Sequence, residues 1–285
     1  MERLIPLCVA MALTAAGSAR AGCGPVEPQC EIPGGSYEIA LPPAATETAG
    51  DPSPIPAVLF LHGHGGSAKG VLRMRGMVEA VTARGYAVIA PNGARRPNGP
   101  RSWSFLPEFQ GRDDFAFLPE VVSDAAARFD IDPQNTVLAG FSSGAFMVNY
   151  LACDQPETFA AYLPVSGGFW RPQPESCTGP ARIYHSHGWR DGVVPLEGRI
   201  LGGGRFTQGD IWAGLELWRD TMGCDTHAPD RIWQDGELSL RRWQCGADAE
   251  LVFELFPGGH MVPPGWADRV IDWIEAGAGP QTETD

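Results

Sequence analysis

Short runs of consecutive apolar residues recur along the chain, separated by stretches in which apolar positions return with helical spacing. The first such run, 57–61 (AVLFL), has strand length and no polar face, the pattern of a strand buried on both sides of a sheet. Residues 69–84 follow with Val71, Leu72, Val78 and Val81 at helical spacing. A second run, 86–90, is closed by the turn formers Pro91-Asn92-Gly93. The pattern then predicts a helix at 115–129 with Asp113 and Asp114 as capping candidates, a strand at 135–141, a helix at 145–153, and strands at 159–165 and 181–187. An amphipathic helix is expected at 207–222, and a β-hairpin at 232–234 and 238–244, turned by Asp235-Gly236. The last core strand falls at 251–256, and a closing helix at 267–276 puts Val270, Ile271, Trp273 and Ile274 on its apolar side.

Strands alternating with helices predict an α/β fold: a mainly parallel central sheet with helices on both faces and an extra β-hairpin before the last core strand. In such sheets ligands bind beyond the carboxyl ends of the strands. Only about fifteen residues separate the strands at 159–165 and 181–187, so no large lid domain is expected there. Residues 22–55 are rich in Pro, Gly and Ala, hold one strand at 36–41 and are read as an N-terminal extension. The catalytic domain is then 56–276, followed by a flexible tail at 277–285. Residues 1–21 have the form of a cleaved signal peptide: an apolar stretch at 4–16 and the small-x-small site Ala19-Arg20-Ala21. A lipoprotein reading with Cys23 acylated would need an apolar residue where Arg20 stands.

Composition narrows the class. A chain of 285 residues that is 44% hydrophobic, with nine Trp and thirteen Phe, has enough apolar mass for one large core. A net charge of −13 argues against nucleic acid and anionic membrane as partners, and oligomeric state is left open. Cys23, Cys30, Cys153, Cys177, Cys224 and Cys245 remain after the signal, and an even set in an exported chain predicts disulfides. Six cysteines allow 15 connectivities; the pairs Cys23–Cys30, Cys153–Cys177 and Cys224–Cys245 are those that close short loops. A secreted or periplasmic location follows from the same features.

Candidate chemistry sits at the strand ends. Gly140-Phe141-Ser142-Ser143-Gly144 is a G-x-S-x-G pattern between a predicted strand and a predicted helix. A sharp turn there projects the Ser142 hydroxyl above the sheet, with a helix N-terminus beneath it to favour developing negative charge. Where such a turn carries a nucleophile, the acid and then the histidine follow in the chain. His260 follows the last core strand in "FPGGHMVPPGW" and is the expected base; Asp191, in "HGWRDGVVP" after the strand at 181–187, is the expected orienting acid. The oxyanion donors are expected to be the backbone N–H of Ser143 and, from the glycine-rich loop "LHGHGGS", that of His64, with Gly65 next. The pairs His62/His64 and His185/His187 lack acidic partners at a familiar ligand spacing and no CxxC occurs, so no metal site is expected, and no step needs a cofactor. Trp103, Trp189 and Trp266 fall in loops after strands and are candidate substrate-binding walls.

The stretches "LFLHGHGGSA", "YAVIAPNG", "HSHGWRDGVVPLEG", "PGGHMVPPGW" and the block around "VLAGFSSGAFM" resemble the secreted α/β-hydrolase esterases that include polyhydroxybutyrate depolymerases and feruloyl or acetylxylan esterases. The resemblance runs from about residue 55 to the C-terminus and implies the α/β-hydrolase fold, with Ser142, Asp191 and His260 as its triad. The chain departs from that pattern at Ser143, where relatives commonly have Asn, at Trp189-Arg190 in place of Thr-Ala, and at Met261-Val262, where relatives often have Trp. The last two bear on the expected cleft, and so on substrate.

The expected function is an exported serine carboxylic ester hydrolase working through an acyl-enzyme, polyhydroxybutyrate depolymerase-like and acting on polyester or its oligomers. The alternative is a feruloyl or acetylxylan esterase acting on esterified polysaccharide. A serine peptidase would need a feature holding a peptide terminus, and a non-catalytic polysaccharide binder would have no use for a complete triad.

Overall fold

The central strand Ile55–Leu61 shows how the sheet is built. Ala57, Leu59 and Leu61 turn to one hydrophobic core, and Val58 and Phe60 turn to another on the opposite face, as the pleat of a strand requires. The structure is a computed structural model and describes residues 23, 29–43, 54–96, 99–109, 111–246 and 249–277.

In chain order the elements are β1 (Cys30–Ile32), β2 (Gly35–Ala40), β3 (Ile55–Leu61), α1 (Ala68–Leu72), α2 (Arg75–Ala83), β4 (Ala87–Pro91), β5 (Ala94–Arg95), β6 (Arg101–Ser102), α3 (Asp114–Phe129), β7 (Ile131–Phe141), α4 (Ser143–Asp154), β8 (Tyr162–Val165) and β9 (Arg182–Gly188). They continue with β10 (Arg199–Leu201), β11 (Phe206–Gln208), α5 (Ile211–Met222), β12 (Arg231–Asp235), β13 (Leu238–Gln244), β14 (Glu250–Phe256) and α6 (Trp266–Glu275). One ten-stranded sheet has the order β1-β2-β4-β3-β7-β8-β9-β14-β13-β12. The run from β4 to β14 in that order is parallel throughout. Antiparallel strands close both edges: β2 against β4 on one side, and the hairpin β12–β13 against β14 on the other.

Helices cover both faces. α3, α4 and α5 bury their apolar sides in the core that receives Leu59 and Leu61; α1, α2 and α6 pack on the other. Asp113 caps α3 by accepting from the Phe115 and Ala116 N–H groups, and Asp210 caps α5 by accepting from the Ala213 N–H. This is the α/β-hydrolase architecture. No helix lies in the connection from β8 to β9, and a disulfide between Cys153 and Cys177 ties it to the end of α4. Further disulfides join Cys23 to Cys30 and Cys224 to Cys245, so the short-loop pairing is the one present.

Three expectations need correcting. The helix expected at 69–84 is two helices, because the chain breaks at Arg73 and Met74. The helix expected at 207–222 begins only after the Asp210 cap; the residues before it pair as β11 with β10. Part of the 22–55 segment belongs to the domain rather than extending from it: β1 and β2 are strands of the central sheet, and the wholly buried Tyr37 donates its hydroxyl hydrogen to Asp124 on α3. The signal peptide read at 1–21 and the tail from 278 onward lie outside the described residues. Among the described residues no helix is long and apolar enough to cross a membrane.

Candidate active site

Parallel strands β3, β7, β9 and β14 end side by side, so the loops that follow them converge at one edge of the sheet. Ser142 is the first residue after β7, Asp191 comes three residues after β9, and His260 comes four residues after β14.

The turn at Ser142 is strained. Its φ is +56° and ψ −115°, a conformation that non-glycine residues rarely adopt. Packing on both sides enforces it. A Cβ on Gly144 would stand 2.4 Å from the Leu61 carbonyl oxygen, and one on Gly140 would stand 2.6 Å from Gly144 itself. The helix can therefore leave the strand only where these two residues lack side chains. The Ser142 N–H donates to the Val165 carbonyl, and its own carbonyl accepts from Ala145 and Phe146, which leaves the side chain pointing out of the turn.

The Ser142 hydroxyl lies 2.8 Å from His260 Nε2, and His260 Nδ1 lies 2.7 Å from Asp191 Oδ2. A carboxylate can only accept, so His260 Nδ1 carries the hydrogen and Nε2 is left to accept from the serine hydroxyl. Asp191 is held in turn by the N–H groups of Val193 and Val194, each 2.8 Å from Oδ1. Burial pushes this carboxyl up, but its bonds from His260, Val194 and Val193 outweigh that and hold it below the usual aspartate value. The acid thus stays ionised at neutral pH, as an imidazolium-stabilising partner must.

Two backbone N–H groups beside the turn are left without an acceptor among the described residues: neither the His64 nor the Ser143 N–H donates to a backbone or side-chain acceptor. The Gly65 N–H does, to the Arg101 carbonyl, so the second choice for an oxyanion donor is already engaged. Gly63 packs against the turn at Ser142, where a Cβ would stand 3.3 Å from Ser142 Cβ.

The three tryptophans separate. Trp189 is 56% exposed on the loop that carries Asp191. Trp103 and Trp266 are 0% and 1% exposed and cannot be substrate walls. Trp103 donates its indole N–H to the His62 carbonyl, and Trp266 packs edge-on against Phe60 in the core. Sequence position placed both near the right edge, but not which way their rings turn.

Two buried histidines escaped notice as parts of the site. His62 Nε2 accepts from the Gly93 N–H, so its Nδ1 donates to the Gly63 carbonyl; burial lowers its pKa to about 4. His187 Nε2 donates to the Val194 carbonyl at 2.8 Å, and its Nδ1 accepts from His185 Nε2. Their position at the carboxyl ends of strands was the only sequence signal: His62 directly follows β3, and His187 is the last residue but one of β9. Among the described residues no group of three or more His, Cys, Asp or Glu is placed to hold a metal ion.

The model of the Prolyl oligopeptidase family matches residues 73–169, a span that holds Ser142 but neither Asp191 nor His260. A Nocardia uniformis subsp. tsuyamanensis protein named as an esterase, NocK, is 31% identical over 169 residues, covering 57% of this chain and 47% of the relative. Feruloyl esterase C of Emericella nidulans is 27% identical, covering 82% of this chain and 79% of the relative. Poly(3-hydroxyalkanoate) depolymerase C of Paucimonas lemoignei is 25% identical, covering 42% and 30%. The chain thus spans less than half the length of two of these three relatives. Among solved structures, an acetyl xylan esterase from Aspergillus awamori superposes with a TM-score of 0.61 at 18% identity, covering 84% of this chain and 93% of that one; at that identity it speaks to the fold. Sheet order, the turn at residue 142 and the likeness to the Aspergillus awamori enzyme give the chain the α/β-hydrolase fold, and the relatives it resembles include esterases.

Proposed function

We propose that this protein is an exported serine esterase in which Ser142 is the nucleophile, His260 the general base and Asp191 the orienting acid. Ser142 Oγ attacks the ester carbonyl while His260 Nε2 takes its proton, and Asp191 stabilises the imidazolium that forms. The oxygen of the tetrahedral intermediate accepts from the Ser143 and His64 N–H groups. Collapse expels the alcohol, protonated by His260, and leaves an acyl-enzyme. Water, deprotonated by the same imidazole, then releases the acid and restores Ser142. The reaction needs no metal or organic cofactor.

The observation that carries this reading is the unbroken line Asp191–His260–Ser142, with hydrogen bonds of 2.7 and 2.8 Å. Export is supported by the three disulfides, which persist in oxidising compartments, and places the protein in the periplasm or medium.

For substrate we propose a polyester of short hydroxy acids or its oligomers. The support is an apolar collar: Trp189, Val193 and Met261 are 56%, 44% and 43% exposed on the two loops that carry Asp191 and His260. Exposed apolar side chains clustered at a reaction centre suit an apolar chain lying across the surface. A second reading, hydroxycinnamoyl or acetyl esters on polysaccharide, is favoured by the likeness to feruloyl esterase C. The family model that matches residues 73–169 covers the nucleophile turn, which peptidases and esterases share, so it does not select a peptide substrate.

Hydrolysis of p-nitrophenyl butyrate, lost in Ser142→Ala, tests the esterase. Parallel assays on polyhydroxybutyrate film, methyl ferulate and acetylated xylan test the substrate. Preference for film supports the polyester, and preference for methyl ferulate or acetylated xylan overturns it in favour of the second reading.

A further inference from the structure

Three consecutive residues, Arg101, Ser102 and Trp103, bond to the loop around His64 and to Ser143, the residue after Ser142. The Arg101 carbonyl accepts from the Gly65 N–H at 2.8 Å. Trp103 donates its indole N–H to the His62 carbonyl at 2.8 Å. The Ser102 hydroxyl lies 3.1 Å from the Ser143 hydroxyl, and both residues are buried. The two outer bonds grip the loop immediately before and after His64, while the middle one reaches the first residue of α4.

The grip is rigid. Trp103 is fully enclosed, with its ring centroid 4.9 Å from that of His62. His62 is itself pinned between the Gly93 N–H and the Gly63 carbonyl. No peptide from His62 to Gly65 can rotate without breaking one of these bonds, and among the described residues the His64 N–H has no acceptor. An oxyanion site works only if its donors already stand at the right spacing when charge develops, since donors that must move during the reaction lose most of their advantage.

We infer that Trp103 and Ser102 are positioning residues that hold the His64 and Ser143 N–H groups at a fixed separation for the oxyanion. The inference rests on the esterase reading and on those two groups being its oxyanion donors. Neither residue touches the reacting atoms; Trp103 acts through the His62 carbonyl and Ser102 through the Ser143 side chain.

The test compares Trp103→Phe, which keeps an aromatic ring, though a smaller one, and removes the N–H, and Ser102→Ala with the intact oxidised protein. Each is assayed for kcat and KM on p-nitrophenyl butyrate and for inhibition by an aliphatic trifluoromethyl ketone, whose adduct on Ser142 puts a negative oxygen in the oxyanion position. Trp103→Phe is expected to lower kcat by about 10- to 30-fold, below the 10²- to 10³-fold cost of deleting a donor outright. KM should stay within about 2-fold, and the ketone inhibition constant should rise by the same factor as kcat falls. Ser102→Ala should show the same pattern, about 3- to 10-fold. Inhibition by 1-butanol, a neutral alcohol with no carbonyl or negative oxygen to occupy the oxyanion position, should not change. Wild-type kcat and ketone affinity in both variants overturn the inference, as does a loss shared equally by ketone and butanol. Should Trp103→Phe fail to fold, Ser102→Ala alone decides by the same pattern. Failure of the unmodified protein to hydrolyse the ester or bind the ketone is a different result, and it overturns the esterase reading itself.

Discussion

His187 stands directly behind Asp191: its Nε2–H donates to the Val194 carbonyl, and the Val194 N–H donates to Asp191 Oδ1, both at 2.8 Å. That geometry needs a neutral His187 with its hydrogen on Nε2. Burial lowers the pKa of His187, drives that of His185 well down, and brings that of His62 to about 4. In the unfolded chain each would titrate near 6.5. As pH falls below 6.5 the unfolded chain takes up protons that the native protein refuses, so stability is lost, by about 1.4 kcal/mol per pH unit for each such histidine at most. For His62 the window runs from 6.5 down to about 4. Asp191 has the opposite window: its contribution is full above the unfolded carboxylate value and fades only as pH falls through its lower native one. Urea midpoints at pH 7, 6 and 5 should therefore fall steadily, and identical midpoints would contradict the buried neutral histidines.

Asp191→Asn should leave the fold intact and cut kcat by about 10⁴-fold at neutral pH. Two N–H groups at Oδ1 dictate the outcome. The amide oxygen of the variant takes the place of Oδ1 and accepts from them, which turns its NH₂ toward His260 Nδ1. The imidazole must then carry its hydrogen on Nε2, facing Ser142, and cannot accept the serine proton. Steady-state kinetics with a thermal melt as control check this.

What was legible in the sequence, and what was not, follows from the physics of each signal. A strand buried on both faces is apolar at almost every position, so β3 and β4 were plain in the residues; β14 was legible from its apolar majority, although its buried Glu254 is paired with Arg269. So was the turn at Ser142, because two glycines are required by contacts of 2.4 and 2.6 Å. β2 was visible as a strand but not as a member of the sheet, since edge pairing to β4 leaves no mark in its own composition. The break between α1 and α2 has no proline or glycine at Arg73-Met74 to announce it. Trp103 and Trp266 show the limit of reading a loop: the strand before it tells which edge a residue occupies, while packing decides whether its ring faces solvent or core.

Gly144→Ala should abolish activity and lower stability by about 3 kcal/mol, the upper range for overpacking. The obstacle is the Leu61 carbonyl, backbone of the central strand, which cannot swing aside. Chemical denaturation reads the loss; a variant as stable and active as the parent would show that the turn relaxes freely.

Trp189→Ala removes the most exposed ring at the collar, on a residue whose backbone N–H is fixed to the Phe256 carbonyl. The loop should therefore stay in place while the apolar surface shrinks. Binding to polyhydroxybutyrate film and release of soluble products from it should fall at least about 5-fold, with turnover of p-nitrophenyl acetate within about 2-fold, since a methyl acyl group does not reach the collar. Equal losses on both substrates would mean that Trp189 supports the site rather than the substrate.

The most direct measurement is capture of the acyl-enzyme. The oxidised protein is mixed with excess p-nitrophenyl butyrate, quenched in acid within the first turnover and mapped by peptide mass spectrometry. A butyryl group should be found on Ser142 and nowhere else. Ester cleavage with no acyl group on Ser142, or with undiminished turnover in Ser142→Ala, would contradict the assignment.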